Sequence, residues 1–263
     1  MIYKFYDFLN EHKLHKTLEQ VLTYIQELSK SKVFVFLDTE TTGLGGHKKQ
    51  QLTQISAIAY NYDFQSNTFK DAFGSFNKKI KISGDMKGRL SDPKDNIRSK
   101  FKLNHYGDKI LDDPKYYDEQ DILSEFRNWL SHSDLEPLLV IQNAIFDMNM
   151  LVGRGGQKLN YEVLDTKQLI QLFVIPITQK LAETDSKYKD LLNLIGTSER
   201  DAGLISSSMG KWGPFFAINM SGYHDALIDC RISSDMFLKI VDYIKDNKNL
   251  DISKYQAERI RVK

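Results

Sequence analysis

The sequence predicts an α/β domain in which buried strands form a sheet and amphipathic helices pack against it. Three observations point there. Residues 33–37 (VFVFL) are an unbroken run of β-branched, aromatic and aliphatic types, the pattern of a strand buried on both faces. Residues 52–62 and 68–76 are β-rich and meet at a polar turn around Asn67, which reads as an antiparallel meander with the first strand. Helical periodicity brackets these strands on both sides. A chain of 263 residues suits one large domain, or one with appendages, and can bury a substantial core.

Charge and cysteine content narrow the classes. With 36 basic and 35 acidic side chains the net charge is +1, so any basic footprint for nucleic acid has to be local. Cys230 is the single cysteine, which excludes an internal disulfide and a cysteine-built zinc site. The first residues, MIYKFYDFLNEHK, interrupt their apolar positions with charges and lack a signal-peptide core. No apolar run reaches membrane-spanning length. The expectation is a soluble, cytoplasmic protein without a membrane partner.

Residues 3–30 are expected to be helical, with Leu14, Leu18, Val21, Leu22, Ile25 and Leu28 at three- and four-residue spacing, leading into the central strand. That strand runs into Asp38-Thr39-Glu40-Thr41-Thr42-Gly43. Side chains alternate along a strand, so Asp38 and Glu40 project from the same side. Held that close, two carboxylates repel unless a cation lies between them, and a hard divalent ion such as Mg²⁺ or Mn²⁺ suits oxygen ligands. A plain strand running into a polar loop, with Asp38 or Thr39 as a cap, is the alternative. Gly43, Gly45 and Gly46 then form a loop whose backbone could approach a ligand closely.

Residues 77–112 carry ten Lys/Arg against five Asp, a local balance of +5, with little periodicity. They read either as a solvated insertion or as a flap that touches phosphates. A helix is expected from Pro114 to about Leu130. Residues 138–142 form a second short buried strand, followed by Asn143-Ala-Ile-Phe146-Asp147 and a helix that stops at Gly153. Residues 162–166 are briefly extended, and helices follow at 167–174 and about 187–196. Residues 205–222 read as a Gly/Ser-rich loop whose aromatics, Trp212, Phe215 and Phe216, either tuck into the core or stack on bases. A long helix begins near His224 and ends about Tyr243, and the tail from Asn249 is expected to fray.

Four acidic residues are set apart by context. Asp38 and Glu40 end one buried strand, Asp147 follows another at the opening of a helix, and Asp229 sits in the first turns of the last long helix. The fold could bring all four to one end of the sheet, where they would be prohibitively costly without bound cations. Two divalent ions about 3.5–4 Å apart would make them a clamp for in-line phosphodiester cleavage.

These residues resemble the DEDD superfamily of 3′→5′ exonucleases, whose fold is the ribonuclease H-like (DnaQ-like) mixed sheet flanked by helices. Asp-x-Glu-Thr-Thr-Gly is matched at 38–43, Asn-Ala-x-Phe-Asp at 143–147, and His-x-x-x-x-Asp at 224–229. The position four before the last Asp is Asp225 rather than Tyr, so the histidine branch (DEDDh) is implied. Three motifs in order over about 190 residues make the resemblance specific. His105-Tyr106-Gly107 is a fainter echo of a segment that many relatives carry, with Asp108 in place of an Ile. The resemblance implies an exonuclease domain at 32–247 containing the basic insertion, an N-terminal helical extension at 1–31 and a tail at 248–263.

The implied activity is metal-dependent removal of 5′-mononucleotides from a 3′ end, single-stranded or frayed DNA before RNA, either proofreading beside a polymerase partner or trimming single strands. Asp38, Glu40, Asp147 and Asp229 would hold two Mg²⁺ or Mn²⁺ ions, and His224 would act as general base. Thr41, Gly43 and Leu44 would line the terminal nucleotide, while Asn143 and Phe146 would hold its sugar or a neighbouring base. Asp165 is expected as a helix cap, and Asp225 as a surface or capping residue, rather than as ligands. RNA trimming is the alternative reading, and a non-catalytic docking module that keeps the fold is a more distant one.

Overall fold

The computed structural model describes residues 16–43, 47–83, 117–156, 159–198 and 203–260. Thr17 opens the first described helix, α1 (Leu18–Ser31), with a reciprocal capping box to Gln20. The chain passes directly into β1 (Lys32–Thr41), then β2 (Leu52–Asp63) and β3 (Thr68–Lys79), joined through Asn67 at φ 51°. There follow α2 (Glu119–Leu130), β4 (Glu136–Ile141), α3 (Ala144–Gly155) and β5 (Glu162–Asp165). The strands form one five-stranded sheet in the order β3-β2-β1-β4-β5. β1 pairs antiparallel with β2 and parallel with β4, so the sheet is mixed and β1 is central.

Period-2 alternation divides the core in two. Phe34 and Phe36 of β1 join one cluster with Val21 and Ile25 of α1 and with the last long helix. Val33, Val35 and Leu37 join the other with Ile122 and Phe126 of α2 and Met148 and Leu151 of α3. Both faces of β1 are therefore covered, as its uninterrupted apolar run requires.

After β5 come α4 (Thr166–Leu169), a π-helical turn (Ile170–Val174) and α5 (Ile175–Leu181), which follow one another without a break. Next are α6 (Ser186–Ile195), α7 (Met209–Phe215), α8 (Ala226–Asp246) and α9 (Ser253–Ile260). Among the described residues no helix is long and apolar enough to cross a membrane.

Several boundaries differ from the sequence expectation. β3 continues to Lys79, and Ile80 bridges to Tyr117, so the sheet enters the stretch read as an insertion from residue 77. Tyr117 makes that bridge instead of lying in the helix, and α2 begins at Glu119 under the Asp118 cap. α3 runs past Gly153 to Gly155 and ends on Gly156 at φ 65°. Gly153 is there for close approach, because a Cβ at that position would overlap the His47 ring. The expected helix at 167–174 contains the π turn. The tail from Asn249 contains α9, where buried Gln256 donates to the carbonyls of Lys16 and Leu172. Residues 1–15 and 84–116, which include most of the basic stretch, His105-Tyr106-Gly107 and Pro114, lie outside the described residues.

The segment 205–222 is not a loop throughout, because it holds α7. Trp212 is fully buried, its Nε1–H donating to the Ser206 carbonyl at 2.7 Å, and its ring packs near Phe215 and Phe216. Of the two fates considered for these aromatics, Trp212 takes the core. Trp212→Phe, which keeps the bulk but orphans the Ser206 carbonyl, is expected to cost about 1–2 kcal/mol in urea denaturation.

Candidate active site

The end of β1 builds the site through the alternation that divides the core. Asp38 and Glu40 continue the side of Phe34 and Phe36, the side on which α8 packs. Thr39 continues the opposite side, toward α3. A register shift between Glu40 and Thr41 in the pairing with β2 places a β-bulge at the second carboxylate.

On the α8 side, the buried Cys230 thiol contacts the Ser56 carbonyl at 3.2 Å, and Ser56 is paired with Asp38 in the sheet. The preceding residue, Asp229, is thereby set against the strand end. Asp38, Glu40 and Asp229 each offer a carboxylate oxygen, and these atoms lie within 4.8 Å of one another. Asp225 caps α8, accepting from the N–H groups of Leu227 and Ile228, as expected.

On the other side, Asp147 sits in the first turn of α3, buried, and its Oδ1 accepts from the Thr39 N–H at 3.0 Å and the Thr39 hydroxyl at 2.6 Å. Asn143 precedes the helix at φ 68°, a left-handed conformation that Asn tolerates better than most residues. Asp165 fixes that turn, since its two carboxylate oxygens accept from the N–H groups of Asn143 (3.0 Å) and Ala144 (3.1 Å) while it also caps α4. Asp165 is a cap here, as expected, and serves two helices.

His224 stands at φ 81°, a sparsely populated region for histidine, and its N–H points at both Asp229 oxygens, 3.2 and 3.3 Å away. The Tyr223 ring lies 4.1 Å from the imidazole, centroid to centroid. Asp38, Glu40, Asn143, Phe146, Asp147, His224 and Asp229 line one open cleft with about 280 Å³ of room. Thr39, Gln142, Lys167, Ser206–Ser208 and Tyr223 line it too, although the sequence reading assigned none of them. Thr41 and Gly43 are not among its described lining; buried Thr41 instead donates its hydroxyl to the Gly43 carbonyl at 2.8 Å. Leu44 lies outside the described residues.

The electrostatics are those of carboxylates buried and crowded at one strand end. Burial, then the charges of Asp147, Asp229, Glu40 and Asp225, pushes the Asp38 carboxyl well above the usual carboxylate range. Burial pushes Asp147 up to about 7 against the Thr39 hydrogen bonds, and Asp229 up to about 7 against the His224 N–H. An all-oxygen donor set made costly by its own repulsion fits a hard divalent cation. Thr39→Val removes one of two donors to Asp147 and is expected to weaken Mn²⁺ binding by about 10- to 100-fold in titration calorimetry, with the fold retained.

No known protein family and no curated protein matches the sequence. Solved structures do. S. pombe Pop2p in its Mg²⁺- and Mn²⁺-bound form is similar over 89% of this chain and 92% of its own, with TM-score 0.54 and 11% identity. Cell-death related nuclease 4 (CRN-4) is similar over 81% of this chain at TM-score 0.46 and 14% identity. The chain spans 64% of the length of CRN-4. The five-stranded mixed sheet, its flanking helices and the overlay on Pop2p together establish the ribonuclease H-like fold for this chain.

Proposed function

We propose that the chain is a divalent-metal-dependent 3′→5′ exonuclease of the DEDDh type, acting on single-stranded or frayed 3′ ends. The observation that carries this reading is the convergence of Asp38, Glu40 and Asp229 within 4.8 Å at the end of β1. Asp147 and His224 line the same cleft. The Mg²⁺- and Mn²⁺-bound form of Pop2p, on the same fold, is consistent with it.

Asp38, Glu40, Asp147 and Asp229 would hold two Mg²⁺ or Mn²⁺ ions, which neutralise the scissile phosphate and acidify the attacking water. An imidazole nitrogen of His224 takes the proton from that water as its oxygen bonds to phosphorus. The bond from phosphorus to the 3′ oxygen breaks, releasing a nucleoside 5′-monophosphate and a strand with a new 3′ hydroxyl. Thr39 favours the ionised form of Asp147 and aims it, and Tyr223 limits where the imidazole can go. Phe146 offers an apolar face to a base.

DNA is the substrate carried over from the sequence reading. Ser208, exposed in the cleft, supports the second reading, RNA, because polar contacts near the 2′ position are how a protein tells the two apart. The test uses 5′-labelled single-stranded DNA, matching RNA and a duplex with a mismatched 3′ end, each with Mg²⁺ or Mn²⁺. The expected result is a ladder that shortens from the 3′ end and vanishes with chelator. Internal cuts, or cleavage indifferent to chelator, would overturn the reading, and the fastest substrate chooses between DNA and RNA.

A further inference from the structure

Four of the side chains around the cleft are carboxylates, while a single-stranded substrate brings a phosphate at every linkage. Ions held by the carboxylates address the scissile phosphate only. The same cleft has a wall of different chemistry. Lys167, in α4, is the one lysine or arginine among its described lining, with its Nζ 3.5 Å from Asn143 Oδ1. Beside it run Ser206, Ser207 and Ser208, before α7.

This wall is fixed from behind. Trp212 Nε1 holds the Ser206 carbonyl at 2.7 Å, and Gln142 Nε2 holds the Ser207 carbonyl at 3.3 Å. Thr166 in turn donates to Gln142 Oε1 at 2.6 Å. Gln171, which the π-helical turn carries, reaches the Ser207 hydroxyl at 3.1 Å. Single π turns inside α-helices are uncommon and often sit at functional sites. The turn here follows α4 directly and holds the buried Ser207 hydroxyl behind the cleft.

We propose that Lys167 and exposed Ser208 bind the sugar-phosphate of the nucleotide immediately 5′ of the scissile linkage, Lys167 taking its phosphate and Ser208 its sugar. The site rests on the exonuclease reading for its place along the strand, but binding of a single strand there is measurable without cleavage. The assignment makes Lys167 a substrate-binding residue with a countable charge contact.

The experiment measures anisotropy of a short fluorescent single strand across a salt series, with Ca²⁺ in place of Mg²⁺. Each phosphate contact on a single strand contributes about 0.7 to the slope of log affinity against log salt. Lys167→Met is therefore expected to weaken binding about fivefold at low salt and to flatten the slope by about 0.7, similarly for all sequences. Lys167→Arg should keep the slope. Ser208→Ala, an exposed position, should weaken binding with the slope unchanged. An unchanged slope in Lys167→Met overturns the proposal, whether affinity holds or falls. If wild type cleaves no strand while Lys167→Met still loses slope, the exonuclease reading fails and the phosphate site stands.

Discussion

An Asp38→Asn protein is expected to lose at least about a thousandfold of the metal-dependent hydrolysis. Its metal-free form should nevertheless be more stable than wild type by about 1–2 kcal/mol. The two signs follow from one environment. Asp38 is pushed well above the usual carboxylate range by burial and by the charges of Asp147, Asp229 and Glu40. Asn keeps the shape while removing the charge, so the repulsion among the remaining carboxylates falls. It also removes one of the three carboxylates that converge within 4.8 Å of one another. Initial rates on a labelled strand and urea denaturation in chelator check the two halves separately. A variant that merely misfolds would lose both activity and stability, and a variant that keeps its activity would remove Asp38 from the metal set.

The parts of the fold that could be read from the sequence are those governed by local periodicity. Strand alternation places Asp38 and Glu40 on one side whatever the rest of the chain does, and the structure has them there with Asp229. Asp225 and Asp165 read as caps because a short acidic side chain before an apolar helical run has a local task. The helix at 209–215 was hidden for the opposite reason. Gly210, Gly213 and Pro214 all argue against a helix locally, and burial of Trp212 outweighs them. At Gly213 a Cβ would overlap Met220, so the glycine serves packing rather than a turn.

The residues that complete the site were silent because they act across long separations. Thr39 reads as one of several small polar residues after a strand, and its task appears only when α3 brings Asp147 beside it, 108 positions later. Gln142 and Gln171 read as ordinary polar positions, yet both hold Ser207 from elements 65 and 36 residues away. A motif names the ligands because the chemistry restricts their type. It leaves out the supports, for which several polar residues would serve equally well.

The same buried carboxylates predict how the protein depends on pH and on metal. Asp147 and Asp229 have folded values of about 7, raised chiefly by burial, against about 4 for an unfolded aspartate. Between those values the folded chain binds more protons than the unfolded one, so metal-free stability falls as pH rises through the window. The stabilisation is whole below about pH 4 and gone above about pH 7, a difference on the order of 4 kcal/mol for each of the two groups. A divalent ion acts in the opposite sense, since it binds the ionised carboxylates and has to displace their protons. The difference in melting temperature between Mn²⁺-loaded and chelated protein should thus be near zero at low pH, climb between pH 4 and 7, and level off above. Taking that difference cancels the carboxylates outside the site, which titrate alike in both samples. In Asp38→Asn the climb should shrink, because the ion loses a ligand and the apo cluster loses a repulsion. A metal effect independent of pH would mean that Mn²⁺ binds elsewhere on the chain, and would take the carboxylate cluster out of the mechanism.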